Sequence, residues 1–324
     1  MSTYHFVGVD IAKDEFVASQ MVKNKSKQRS FDNSLSGFKA FLGWIQKTAE
    51  QPWACMEATG HYGEALAEFL HQKNMHVSVV NPMQIKTFAR MMLKRNKNDF
   101  IDAQTIREYA EKMKPRFFQP RPPKQKEIRE LIQLLDTLKE QSAQLKNKAH
   151  AAQHPVAKKE IRMAINAVEN RVTRLTQKIK EAASEEPDFK RCVALLLSVK
   201  GIGELSAYRL LALLPDIRLF QSPKQLAAFA GVSPQQRESG AWKGKTTLSK
   251  CGNASLRKAL YMPALSAKRY NITLQPWVNG LQKRGLTPKA IVGAVMRKLI
   301  HIIFGILKNN QPFNHELCLN QQKG

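Results

Sequence analysis

The chain has 324 residues, with 52 Lys and Arg against 26 Asp and Glu, which gives a formal net charge of +26 and a sequence pI near 10.0. That length exceeds what one core usually organises, the 43% hydrophobic content is enough for two or three units, and the charge points to polyanionic partners. Cys55, Cys192, Cys251 and Cys318 form no CxxC pair, which argues against zinc fingers, iron–sulfur sites and a disulfide framework. The N-terminus enters a strand pattern without a basic, cleavable leader, and the late apolar stretch from Ala290 to Leu307 is broken by Arg297, Lys298 and His301. A soluble, cytoplasmic protein with no membrane partner is expected.

In chain order, Phe6 to Asp10 and Glu15 to Val22 have strand composition, and Phe38, Phe41, Leu42 and Ile45 recur at helical spacing. Trp53 to Glu57 reads as a strand ending at Ala58-Thr59-Gly60. A helical pattern follows from Tyr62 to Gln72, and Val77 to Val80 is a strand stopped by Asn81-Pro82. Asp99 to Glu111 reads as a helix, and the Pro-rich basic segment from Lys114 to Lys124 as a linker. This pattern predicts an α/β domain over residues 1–119.

The periodicity then changes to alternating three- and four-residue steps. Ile128, Leu131, Leu135, Leu138, Ser142, Leu145, Ala149 and Ala152 follow it, as do Ile161, Ile165, Val168, Val172, Leu175 and Ile179. With the break at His154-Pro155, this predicts two coiled-coil helices over residues 120–186, packing on each other and serving as an oligomerisation arm because each seam is narrow. Residues 187–324 read as a mainly helical domain. There the apolar run Cys192 to Val199, then Lys200-Gly201-Ile202-Gly203, then Leu205, Ala207, Leu210 and Leu211 form a helix-hairpin-helix pattern. Its glycines allow a tight turn that brings backbone amides close to a phosphate. The ordinary alternative is a helix–helix turn without a ligand.

Four acids of the first domain carry the chemistry. Asp10 ends the first strand, Glu57 ends a later one, and Asp99 and Asp102 sit three residues apart on one face at a helix start. Collected carboxylates repel unless a divalent cation neutralises them, and hard oxygen donors suit Mg²⁺, with Mn²⁺ as a substitute. The set matches what metal-assisted phosphoryl transfer needs. Lys94, Arg95 and Lys97 stand just before the helical pair, placed to hold nucleic-acid backbone. Taken singly, Asp99 would be an ordinary N-cap and Asp102 an ordinary first-turn dipole partner.

Several motifs together carry a resemblance. Gly8-Val9-Asp10-Ile11-Ala12-Lys13, Met56-Glu57-Ala58-Thr59-Gly60, Val80-Asn81-Pro82 and Lys97-Asn98-Asp99-Phe100-Ile101-Asp102-Ala103 resemble the DEDD recombinases of bacterial insertion sequences, including Piv-type DNA invertases and bridge-RNA-guided transposases. The last third continues the likeness in Val199 to Gly203, Phe229 to Pro234, Arg237-Glu238-Ser239-Gly240, Ser249-Lys250, Gly252, Leu256 to Pro263 and Pro312-Phe313.

The resemblance implies an RNase H-like fold similar to the junction resolvase RuvC, with Asp10, Glu57, Asp99 and Asp102 holding Mg²⁺. It implies a transposase domain whose Ser239 attacks the scissile phosphate and becomes covalently linked to DNA. A serine hydroxyl is a weak nucleophile that needs activation, which the acids and their metal would supply. The segment Ala241 to Lys245 is slightly shorter than the family pattern. Backbone contacts are expected from Lys200, Gly201, Gly203, Lys243, Lys245, Lys250, Arg257 and Lys258. The implied partners are donor and target double-stranded DNA, a structured noncoding guide RNA, and further copies forming a homodimer and then a homotetramer, at the bacterial nucleoid. Two other classes stay open on the residues: a metal nuclease using water, which needs no Ser239, and a non-catalytic nucleic-acid scaffold.

Overall fold

The computed structural model describes residues 4–48, 51–58, 62–94, 98–236, 238–239, 242–244 and 246–314, with backbone alone at 238–239 and 242–243. The chain divides into two compact units, Met1–Pro120 and Arg121–Gly324.

The first unit is a mixed five-stranded sheet with helices on both faces. Its elements are β1 (His5–Ile11), β2 (Glu15–Val22), β3 (Lys25–Asp32), α1 (Leu35–Gln46), β4 (Pro52–Glu57), α2 (Glu64–Gln72), β5 (His76–Val80), α3 (Pro82–Met91) and α4 (Asp99–Met113). The strand order is β3-β2-β1-β4-β5, antiparallel across the first three and parallel from β1 through β4 to β5. Because strand side chains alternate faces, Val7, Val9 and Ile11 point to one side, where they join Phe16, Phe31, Phe38, Phe41, Ile45, Leu66 and Leu70 of β2, β3, α1 and α2. Phe6, Gly8 and Asp10 point to the other, where Cys55 and Val80 pack against Ile85 and Phe88 of α3 and Ile106, Tyr109 and Ala110 of α4.

Two elements lie outside the sequence expectation. β3, Lys25-Ser26-Lys27-Gln28-Arg29-Ser30-Phe31-Asp32, is exposed along most of its length and has no apolar alternation to announce it. It exists because β2 supplies a full antiparallel register from Glu15↔Asp32 to Val22↔Lys25. α3 begins where the sequence shows a stop: Asn81 caps it by accepting from the Met83 amide at 2.9 Å, and Pro82 sits in its first turn, where a missing N–H costs nothing.

The segment expected to be a linker is partly structural. The Phe118 amide donates to the Val77 carbonyl at 2.7 Å, and Phe117 packs on Trp53 with ring centroids 4.7 Å apart. Trp53 Nε1 donates to Ser78 Oγ at 2.9 Å, and that hydroxyl donates to the Pro115 carbonyl at 3.2 Å. Residues 115–118 thus fasten to β4 and β5 and cover part of a sheet edge that would otherwise be unpaired.

The second unit is mostly helical: α5 (Pro123–Ala151), α6 (Pro155–Glu185), α7 (Pro187–Leu197), α8 (Glu204–Leu213), α9 (Pro223–Phe229), α10 (Ala254–Tyr270), α11 (Gln275–Lys283) and α12 (Pro288–Asn309). Between α9 and α10 the described residues include the two-residue strands β6 (Pro234–Gln235), β7 (Glu238–Ser239), β8 (Trp242–Lys243) and β9 (Thr247–Leu248), paired β6 with β9 and β7 with β8. α5 and α6 form an antiparallel hairpin, pinned by Lys124–Glu185 at its base and Lys146–Glu169 further out, both at 2.7 Å. At the base, Ile128, Ile132, Leu135, Leu175 and Ile179 are buried and enter the same core as α7 to α12. α12 is long and apolar enough to cross a bilayer, yet it is mostly buried as a core helix, with Val295, Leu299, Ile300 and Ile303 fully covered.

Candidate active site

The four acids of the first unit share one face of the sheet. Parallel pairing of Val9 with Met56 sets Asp10 and Glu57 side by side at the ends of neighbouring strands, and strand alternation turns both towards α4. α4 lies tightly on β1 because Gly8 has no side chain: a β-carbon there would collide with the Ala103 carbonyl and Arg107 amide and sit 2.9 Å from Arg107 Cα. Asp99 and Asp102, four residues and one residue before Ala103, are thereby carried to Asp10.

Asp10 registers all three neighbours. Its carboxyl is pushed up from 3.8 to about 6, first by partial burial and then by the charges of Asp102, Asp99 and Glu57. The N-cap of α4 is Asn98, whose Oδ1 accepts from the Ile101 amide at 2.8 Å. Asp99 is therefore not the cap that ordinary helix usage suggested, which removes that structural explanation for its carboxylate.

A hard divalent cation fits this set in kind, since the charges of Asp102, Asp99 and Glu57 crowd the Asp10 carboxyl and such an ion relieves that crowding. As positioned, the described residues include no group of three or more acid, His or Cys side chains close enough to hold an ion, so uptake would require the carboxylates to draw together. Asn33, not singled out in the sequence, braces the strand exits: its Nδ2 donates to the carbonyls of Ala12, Lys13 and Tyr62 at 3.1 to 3.2 Å. An Asn just before the Ser34 cap of α1 was the available signal, though nothing local gives it these long-range acceptors.

The expected nucleic-acid contacts divide. Lys94 is turned inward, with Nζ 2.8 Å from Glu108 and 3.0 Å from Thr105 Oγ1, so it braces α4. Arg95, Lys97 and Lys245 lie outside the described residues. In the second unit, a short turn through Lys200-Gly201-Ile202-Gly203 joins α7 to α8. Gly201, at φ +116°, faces α10, where a β-carbon would be 2.7 Å from Ala267 Cα, and Asn271 Nδ2 donates to the Lys200 carbonyl at 2.9 Å. Gly201 is thus taken up by internal packing, whereas Gly203 has open space around it and Lys200 is exposed. Lys250 is exposed, Lys258 pairs with Glu140 at 2.9 Å, and Arg257 Nη1 donates to the carbonyls of Lys250 and Ala230. Ser239 pairs with Trp242, and Glu238 with Lys243, in the β7–β8 ladder.

Comparison with known proteins places this arrangement. A DEDD-type family model described as a transposase matches residues 7–153, and one described as the transposase IS116/IS110/IS902 family matches residues 193–277. The pilin gene-inverting proteins of Moraxella bovis and Moraxella lacunata are each 30% identical over 318 residues, covering 96% of this chain and 98% of theirs. The transposase for insertion sequence element IS1111A of Coxiella burnetii is 24% identical over 357 residues, covering 97% of this chain and 92% of its own. These matches define the class, an enzyme that cuts and rejoins DNA. The chain belongs to the DEDD transposase and recombinase family of insertion sequences, the family of the IS110-type transposases and pilin gene-inverting proteins.

Proposed function

We propose that this protein is a site-specific recombinase of a mobile element that breaks and rejoins DNA through a covalent phosphoserine intermediate. The observation that carries the reading is the electrostatic convergence on Asp10 of Glu57, Asp99 and Asp102 in a chain of net charge +26. The strand order with three antiparallel strands followed by two parallel ones supports an RNase H-like, RuvC-like first domain. In this reading the four carboxylates hold Mg²⁺ or Mn²⁺, which when bound supplies charge neutralisation at the scissile phosphate. Ser239 Oγ gives up its proton and forms a bond to phosphorus as the bond to the departing sugar oxygen breaks, and that oxygen takes up a proton and leaves as a hydroxyl. A hydroxyl from the joining strand later reverses the step, so the phosphodiester energy is conserved. The α5–α6 hairpin pairs protomers into a dimer and then a tetramer, and the α7–α8 turn with Lys200, Gly203 and Lys250 holds backbone.

A structured guide RNA suits the charge excess, because base pairing would read sequence while the protein reads backbone. The 30% identity to pilin gene-inverting proteins favours a second reading, inversion between defined sites without RNA. To test the chemistry, purified protein is incubated with Mg²⁺, co-expressed RNA and labelled element-junction DNA, and denaturant-resistant protein–DNA adducts are sought. An adduct in the wild type, absent in Ser239→Ala, is expected. Free cleaved DNA from both proteins without an adduct would move the assignment to a metal nuclease, and an adduct formed without RNA would favour inversion.

A further inference from the structure

We infer that the helical unit contains a pocket for a single extrahelical nucleotide of bound nucleic acid, with its base on an apolar floor and its phosphate at a cationic rim. A cavity of about 700 Å³ opens between α5, α8, β9, α10 and α12. Ile132, Leu213, Leu248, Val292 and Met296 form the floor, and the half-exposed ring of Tyr261 stands at the side. The rim carries Arg129, Arg209, Arg257, Lys258 and Lys289, with Asp136 as the acid in the lining.

Charge and size choose the occupant. Asp136 pairs with Arg209 and Glu140 with Lys258, which leaves the rim positive overall. Lys139, on the same stretch of α5, is held below the ordinary lysine range first by burial and then by the Arg209 charge. A second copy of this chain, itself at +26, is a poor match for such a rim. The space is of the size that takes one small ligand and excludes a duplex, while a flipped base has the apolar faces that Tyr261 and the floor can cover. Leu248 belongs to β9, which pairs with β6 at the start of the segment carrying Ser239. A nucleotide held here would sit on the same framework as that segment.

The inference rests on the chain binding nucleic acid, and the test separates the two. Affinity of the full-length protein is measured, at near-physiological salt, for a short DNA duplex with one unpaired adenine, for the perfectly paired duplex, and for one with an abasic bulge. RNA counterparts decide which nucleic acid supplies the nucleotide. The unpaired adenine is expected to bind about tenfold more tightly than either control, the range of one base–aromatic stack. Ser255→Trp, which adds bulk at an exposed position of the lining, and Tyr261→Ala should each abolish the preference while affinity for the paired duplex stays within about twofold, because backbone charge contacts are retained. Equal binding of all three probes by the wild type, or a preference that survives both variants, overturns the pocket. Failure to bind even the paired duplex overturns the recombinase reading as well.

Discussion

Gly8 on β1 faces the Ala103 carbonyl on α4 with no room for a β-carbon between them. The obstacle is backbone, which cannot rotate away, so Gly8→Ala must lift α4 from the sheet and separate Asp102 from Asp10. Overpacking of this kind costs about 1–3 kcal/mol. Urea denaturation is expected to show that loss, and calorimetry a weaker uptake of Mg²⁺ than by the wild type. Unchanged stability would mean that α4 does not depend on this contact.

Asp10 makes the acid cluster sensitive to pH. Its folded-state carboxyl titrates near 6 against 3.8 ordinarily, so the folded protein holds the proton more tightly than the unfolded chain does. Stability therefore falls as pH rises from about 3.8 through about 6, and the full penalty is present above that window. In chelator at neutral pH, Asp10→Asn should be more stable than the wild type by about 1–2 kcal/mol, a figure reduced for solvent screening of a partly exposed group. Below the window the two should converge. Added Mg²⁺ should raise the melting temperature of the wild type and leave the variant nearly unmoved. A variant less stable than the wild type at neutral pH would show that Asp10 has a structural partner.

The sequence made the acids readable because strand alternation and helical spacing are local rules. Asp10, Glu57, Asp99 and Asp102 follow from period two and a three-residue step. What it left unread depends on distant partners. β3 is a strand because β2 offers it hydrogen bonds, Asn98 takes the cap from Asp99 through a choice between adjacent residues, and Lys94 turns inward because Glu108 lies across from it. The same holds for Gly201, whose glycine requirement comes from α10, more than sixty residues later.

Gly201 and Gly203 can be separated experimentally. At Gly201 an alanine would be strained at φ +116° and would press on Ala267, so Gly201→Ala is expected to destabilise the helical unit by about 2–3 kcal/mol, irrespective of DNA. Gly203 has φ −86° and open space, so Gly203→Ala should fold normally. If the turn approaches a phosphate, that same variant should lose about threefold or more in duplex affinity, since an added methyl would keep the helix N-terminus from the backbone. Melting curves and binding isotherms for the pair decide it, and a Gly203→Ala protein with unaltered affinity removes the turn from the interface.

Burial along the α5–α6 hairpin falls with distance from its base. Its base is sealed by Ile128, Leu135 and Ile179, whereas Leu145, Ile161, Ile165 and Val168 remain only half covered within one chain, with Val156 62% and Met163 50% exposed nearby. A second copy pairing along this seam would bury them, and each apolar group of that size contributes about 1.5–3 kcal/mol when fully buried. Ile165→Glu lies outside the shared core, so secondary structure and melting of the base should persist. Sedimentation velocity is expected to show weaker self-association by about tenfold or more, because a charge would then stand in the paired seam. Self-association equal to the wild type would show that the distal hairpin is not where protomers meet.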